Sequence, residues 1–418
     1  MERIIFHIDV NSAFLSWSAV EKLKKDPNAV DLRTIPSAIG GDRASRHGII
    51  LAKSVPAKKY HVQTAEPVAK ALQKCPNLVL EPSNHAMYHI YSHQFIDFLC
   101  SLTPDIEQVS IDECYLDFTG IAHNFESPVA GACYIKDTIY KRFGFTVNVG
   151  ISSNKLLAKM ASDFEKPNKV HTLFPCEIQE KMWPLPVSEL FMAGHASVAT
   201  LQKLEINTIG DLAKTDPALL CLHLKSHGQL LWEYANGIDD SPLDSEPYQL
   251  KGIGNSTTLP KDAVTTEEAR IVLRKLSEKV GQRLRDAKQN ASTICVEIKY
   301  ATFVSVSHQT QLHTPTSVNE IIYKNSCDLF DALWNHTPIR LLGIRTGKLT
   351  DIAEPVQLNL FDYAPLQTTA SKKAAQKSTA KQAQLDQALD KIRTKYGKDS
   401  IKRASLLTNH IPLRNDDE

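Results

Sequence analysis

No Cys-x-x-Cys pair occurs in this 418-residue chain. Its eight cysteines (Cys75, Cys100, Cys114, Cys133, Cys176, Cys221, Cys295 and Cys327) are scattered. That scatter argues against a zinc framework, and apolar neighbours around most of them point to buried thiols in a reducing compartment. An excess of charge is missing too. Lys and Arg number 48 against 47 Asp and Glu, a formal net charge of +1, so a nucleic-acid partner would need a local basic surface. No apolar run is long enough to span a membrane, and the N-terminus lacks a basic region followed by an apolar run. The expectation is a cytoplasmic protein with no membrane partner. No long-period repeat is apparent. What is there is globular: 42% hydrophobic and 23% charged residues, in a chain long enough for roughly two to four domains.

Two stretches carry the chemistry. Residues 110–117 read Ser-Ile-Asp-Glu-Cys-Tyr-Leu-Asp, with β-formers set around the adjacent acids Asp112 and Glu113. Consecutive residues of a flat strand point to opposite faces, so both carboxylates reach one point only if the chain bends there. Residues 4–8 are a short apolar run ending in Asp9, as suits a strand buried on both faces. Three carboxylates at the ends of buried strands suit hard divalent cations carrying a triphosphate. By themselves the same acids could equally be a solvated turn and a strand-end cap.

The Ser-Ile-Asp-Glu-x-Tyr-Leu-Asp motif, taken with the N-terminal His-Ile-Asp-Val at 7–10, resembles the signature of the Y-family (translesion) DNA polymerases. The likeness continues along most of the chain. It implies an α+β multidomain fold, a right-hand polymerase with palm, fingers, helical thumb and little-finger domain. Palm and fingers would occupy 1–168 (fingers about 12–75), the thumb 169–242 and the little finger 250–350. Residues 351–418 would hold a clamp-binding peptide, a tether and a C-terminal helix. Asp9, Asp112 and Glu113 would be catalytic and, with the Val10 carbonyl, would hold two Mg²⁺ ions. Phe14, beside the small Ala13, would pack under the nucleotide sugar and exclude a 2′-hydroxyl. Lys58 and Lys166 would meet the triphosphate. Gln357, Leu358, Leu360 and Phe361 resemble the peptide by which bacterial replication proteins bind the sliding clamp, two leucines and a Phe filling an apolar groove. The implied partners are primer–template DNA, deoxynucleoside triphosphates and that clamp, with the chain a monomer.

The sequence also departs from the family. Val55 and Lys58 stand where a Tyr and an Arg commonly touch the triphosphate; Val55 brings no hydroxyl, and Lys58 lacks the bidentate fork. In the thumb, a helix–hairpin–helix-like segment has Met192 and Glu205 where glycines are expected. Two other readings follow from such drift or from the palm alone: a non-catalytic clamp-binding damage-response module, and a nucleotide cyclase. The second has no use for residues 250–361.

Local signals predict further elements. The turn Asn11-Ser12 leads into a helix over about 14–24, and Ser54 caps a short helix over 55–60 beside Lys53, Lys58 and Lys59, a candidate triphosphate cradle. Tyr88, Tyr91, Phe95, Ile96 and Leu99 recur at helical spacing as core. A helix over 128–143 precedes an alternating strand over 145–149. Thr265 and Glu268 form a capping box ahead of the apolar stripe Ala269, Val272, Leu273, Leu276, Val280 and Leu284. Strands follow at 294–300 and 339–348, where Lys299, Arg345 and Lys348 could face a DNA backbone. Residues 364–383 read as a flexible tether, and 385–392 as a helix.

Overall fold

A computed structural model of the chain describes residues 3–41, 48–246, 249–353, 370–397 and 400–401. They fall into two units, the first up to residue 246 and the second from 249. The predicted clamp peptide, Gln357 to Phe361, lies outside the described residues.

In the first unit, β1 (Ile5–Val10) is the middle of a five-stranded sheet, and its apolar residues are buried as the unbroken run predicts. β6 (Glu113–Asp117) and β7 (Val147–Ser152) pair antiparallel with it on either side, and β5 (Ile106–Gln108) and β8 (Val170–Thr172) complete the sheet. Ser12, at φ 48°, turns the chain from β1 into α1 (Ala13–Lys25). Helices α1, α4 (His85–Cys100) and α5 (Pro128–Phe143) supply the core with Trp17, Tyr88, Phe95 and Ile135, all fully buried beside Phe6 and Phe118. The alternation read at 145–149 does not persist: β7 starts at Val147 and is buried along its whole length. The cause is α6 (Lys155–Asp163), which packs so closely that a Cβ on Gly150 would stand 2.0 Å from the Ala158 carbonyl oxygen.

A small second sheet, β2 (Ser37–Gly40), β3 (Ile50–Lys53) and β4 (Val79–Glu81), has β2 in the middle. Next to it, α2 (Val55–Lys58) begins at Ser54, whose Oγ accepts the Ala57 amide at 3.1 Å, and α3 (Val68–Lys74) follows. Further on, α7 (His195–Lys203), α8 (Ile209–Lys214), α9 (Pro217–Leu224) and α10 (Ser226–Ala235) share a core with Leu156, Leu157 and Met160 of α6. Met192 and Glu205 adopt φ of 69° and 62°. The left-handed geometry that a glycine takes without strain is kept there without the glycine.

The second unit is a four-stranded antiparallel sheet, built from β9 (Gly252–Ala263), β10 (Gln289–Tyr300), β11 (Ser305–Thr316) and β12 (Ile339–Asp351), in the order β11-β10-β12-β9. α11 (Thr266–Asp286) opens on the predicted capping box, the Glu268 amide donating to Thr265 Oγ1 at 3.2 Å, and all six stripe residues are fully buried. α12 (Asn319–Leu333) packs beside it. Lys299 and Arg345 lie on the sheet face opposite the buried Ile294, Val296 and Ile298, Arg345 close to Glu297 at 3.7 Å. Lys348 donates to Gln311 at 3.0 Å. A last helix, α13 (Ala370–Tyr396), corrects the tether reading over 370–383. Ala, Lys and Gln are strong helix formers, and this helix is pinned. Asp386 is buried and accepts the Asn319 amide at 2.9 Å; Arg285 meets Asp390 at 2.6 Å, and Arg393 meets Glu278 at 2.9 Å. No helix among the described residues is long and apolar enough to cross a membrane.

Candidate active site

The bend expected between the paired acids is present. Asp112 sits in it, Glu113 is the first residue of β6, and Asp9 is the cross-strand partner of Glu113. The Val10 amide donates to the Asp112 carbonyl at 2.9 Å and closes the pair. Asp112 accepts from Ser110 Oγ at 2.7 Å, but burial pushes its carboxyl above the usual range, and the charges of Asp9 and Glu113 add to that. Glu113 goes the other way, held down at about 2 by the His7 ring and then by the Lys159 ammonium.

Two lysines stand on these acids. Lys159, on α6, places Nζ 2.9 Å from Glu113, 3.5 Å from Asp163 and 3.9 Å from Asp9. Lys166 places Nζ 2.5 Å from Asp9 and 2.7 Å from Asp163. Burial alone would lower both amines, but the surrounding carboxylates outweigh it and raise them. A buried amide pair positions Lys166: Asn11 donates to Asn148 at 3.1 Å and accepts the Asn168 amide at 2.9 Å, while Asn148 holds the Ser162 and Glu165 carbonyls. His7 is fully buried beneath Glu113. Its Nδ1 shares a 2.8 Å hydrogen bond with Ser162 Oγ, and its Nε2 lies 3.4 Å from the Glu113 carboxylate, a long electrostatic contact. Burial lowers its pKa, so the ring is neutral.

In front of the acids is an open pocket of about 400 Å³. Asp9, Val10 and Asp112 line it together with Ala13, Phe14, Lys53, Lys58 and Thr64. Phe14 is stacked on Tyr88, ring centres 4.4 Å apart, which fixes the plane it presents. Val55 is 45% exposed and takes no part in the lining. Lys59 takes none either, and α2 is too short to act as a cradle by its terminus.

Of the predicted residues, the structure thus brings Asp9, Val10, Asp112, Ala13, Phe14 and Lys58 to one pocket, with Glu113 and Lys166 against Asp9. Sequence reasoning missed His7, Asn148, Lys159, Asp163 and Thr64. The one signal for Lys159 was its place a helical turn before Asp163. Among the described residues no group of three or more acids, His or Cys is arranged to hold a metal. Lysine ammonium groups stand on Asp9 and Glu113, on oxygens that a cation could otherwise take. The donor set itself, carboxylates and a main-chain carbonyl crowded enough to raise Asp112, is that of a hard divalent cation.

In fold, the chain is similar to a solved Y-family DNA polymerase chimera, at a TM-score of 0.72 and 23% identity over 83% of this chain and 99% of that one. That likeness is one of fold. Residues 8–163 match the impB/mucB/samB family, and residues 250–360 match its C-terminal domain. The DNA polymerase IV of Clostridium acetobutylicum is 46% identical over 97% of this chain and 99% of its own length. That of Clostridium kluyveri is 34% identical over the same shares. The chain belongs to the impB/mucB/samB family, within the Y-family DNA polymerases and on their DNA polymerase IV branch. Membership carries with it dependence on a divalent metal, and template–primer DNA and nucleotides as substrates.

Proposed function

We propose that the β1–β6 carboxylates and the pocket before them carry out template-directed nucleotidyl transfer. The chain is a DNA-directed DNA polymerase of the translesion type. The observation that carries the site assignment is the juxtaposition of Asp9, Asp112 and Glu113 with Phe14, Lys58 and Lys166.

Asp9, Asp112, Glu113 and the Val10 carbonyl would hold two Mg²⁺ ions, which when bound lower the pKa of the primer 3′-hydroxyl and offset charge on the triphosphate. Lys166, which stands on Asp9, would turn to the triphosphate once a cation took its place there. Lys58, which lines the pocket, meets the triphosphate as well. Phe14, braced by Tyr88, lies against C2′ and leaves no room for a further oxygen. Asn11 and Asn148 hold the Lys166 loop in place. In this reading the β1 sheet is the palm, the β2 sheet the fingers and α7–α10 the thumb. The second unit is the little finger, with Lys299 and Arg345 toward the DNA backbone. Gln357, Leu358, Leu360 and Phe361 bind the sliding clamp, and the chain works as a cytoplasmic monomer. The matched C-terminal domain has no role in a cyclase. Retention of all three acids opposes a non-catalytic module.

Primer extension on matched templates, one undamaged and one with a single bulky adduct, tests the translesion reading. Extension past the adduct is expected; a stop one nucleotide before it, with full extension of the undamaged template, would refute it.

A further inference from the structure

Two lysines share the pocket before the acids. Lys53 ends β3, Lys58 ends α2, and both line the pocket that Asp9 and Asp112 line. Among the described residues neither has an ion pair or a side-chain hydrogen bond. The acid whose field reaches Lys53 is Glu66, and Glu66 is already engaged: Lys74 Nζ lies 2.6 Å from one oxygen, and the Gln63 amide donates to the other at 2.7 Å. Burial and the charge of Lys58 both weigh against the Lys53 ammonium. Two ammonium groups held together at a cost, facing one pocket, form a receptor for a polyanion. Asp9 and Asp112, which line the same pocket, repel that anion unless cations intervene, so its charged end belongs at the lysines.

We propose that Lys53 is a phosphate-binding residue that shares the outer phosphates of the incoming deoxynucleoside triphosphate with Lys58. It supplies grip that Val55, which takes no part in the lining, does not. This inference rests on the polymerase reading above. A lysine acts here as a compact charge rather than a geometric fork, so charge at position 53 matters more than its shape.

The test is single-turnover incorporation of one deoxynucleotide by the full chain at varied nucleotide concentration, for native protein, Lys53→Gln and Lys53→Arg. Loss of the charge is expected to weaken apparent nucleotide affinity about tenfold. The larger part of that loss falls on affinity rather than maximal rate. Inhibition by added pyrophosphate weakens in parallel, and Lys53→Arg restores both. Native affinity in Lys53→Gln, beside an active native enzyme, overturns the inference and leaves the polymerase reading intact. An inactive native enzyme removes the polymerase reading instead; calorimetric pyrophosphate binding, lost or kept in Lys53→Gln, then decides for or against Lys53 by itself. Thermal melting controls for folding. Should Lys53→Gln melt early, Lys53→Met keeps the aliphatic stem and is read in the same way.

Discussion

Asp9 and Glu113 face each other across the β1–β6 pair, two acids in direct cross-strand register. Like charges so placed repel, and the pair stands because Lys159 reaches both, at 3.9 and 2.9 Å. The site holds its acids together with its own cations, which on the proposed reading a metal would displace.

Replacing Lys159 exposes that repulsion. Lys159→Gln should destabilise the metal-free protein by about 1–3 kcal/mol, as for a lost hydrogen bond to a charged group. Added Mg²⁺ should then raise the melting temperature of the variant more than that of native protein, because one lysine fewer competes for the oxygens and Lys166 alone remains on Asp9. Equal Mg²⁺ shifts would show that Lys159 does not occupy the metal's place.

The acid limb of stability carries the mark of Glu113. Its folded pKa, about 2, lies below the ordinary 4.5. A depressed carboxyl contributes stability that is fully present above its unfolded value and lost as pH falls through the folded one. That contribution therefore disappears between about pH 4.5 and 2. Asp112, whose pKa is raised, works in the opposite sense and gains as it protonates. Glu113→Gln should flatten the stability profile over that window in denaturant titrations; an unchanged slope would place the acid sensitivity elsewhere.

Met192 and Glu205 hold left-handed backbone without glycine's freedom. The strain is about 1–2 kcal/mol per residue, against the roughly 0.5–1 kcal/mol that a glycine's unfolded-state entropy costs. Met192→Gly and Glu205→Gly should each stabilise the protein by about 0.5–1 kcal/mol. Both should raise the melting temperature, and a fall in both would show that their side chains contribute more than the strain removes.

The C-terminal helix is held at one buried carboxylate. Val318, at the start of α12, has no side-chain cap, and Asp386 accepts the Asn319 amide in its stead. Asp386→Ala should cost about 1–2 kcal/mol, the worth of a helix cap. It should also quicken hydrogen exchange along α13; exchange at the native rate would mean that the Arg285 and Arg393 pairs suffice.

How far the sequence could be read depended on whether the signal was local. The Thr265–Glu268 capping box, the stripe behind it, Ser54 before α2 and the run into Asp9 are short-range patterns, and each stands where it was expected. β9 was not read as a strand, because Gly, Asn and Pro260 are poor strand formers. As a terminal strand of the sheet, paired with β12 alone, it tolerates a proline and a polar face. α13 was taken as a tether in its first half because its polar composition hides the long-range partners, Arg285 and Asn319, that fix it. In the site, residue type pointed to Asp9, Asp112 and Glu113, and the family resemblance to Phe14. His7, Lys159 and Asn148 were silent, since nothing in a neighbouring residue announces what a fold brings together across 46 to 155 positions.

The carboxylate trio is tested most directly by primer extension on a defined template with Mg²⁺ and all four deoxynucleotides. Native protein would be compared with the Asp112→Ala, Glu113→Ala double variant, with matched thermal melting. Extension by the native chain and none by the variant is the expected result. Extension at native rate by the variant, or none by native protein at any concentration, would contradict the assignment.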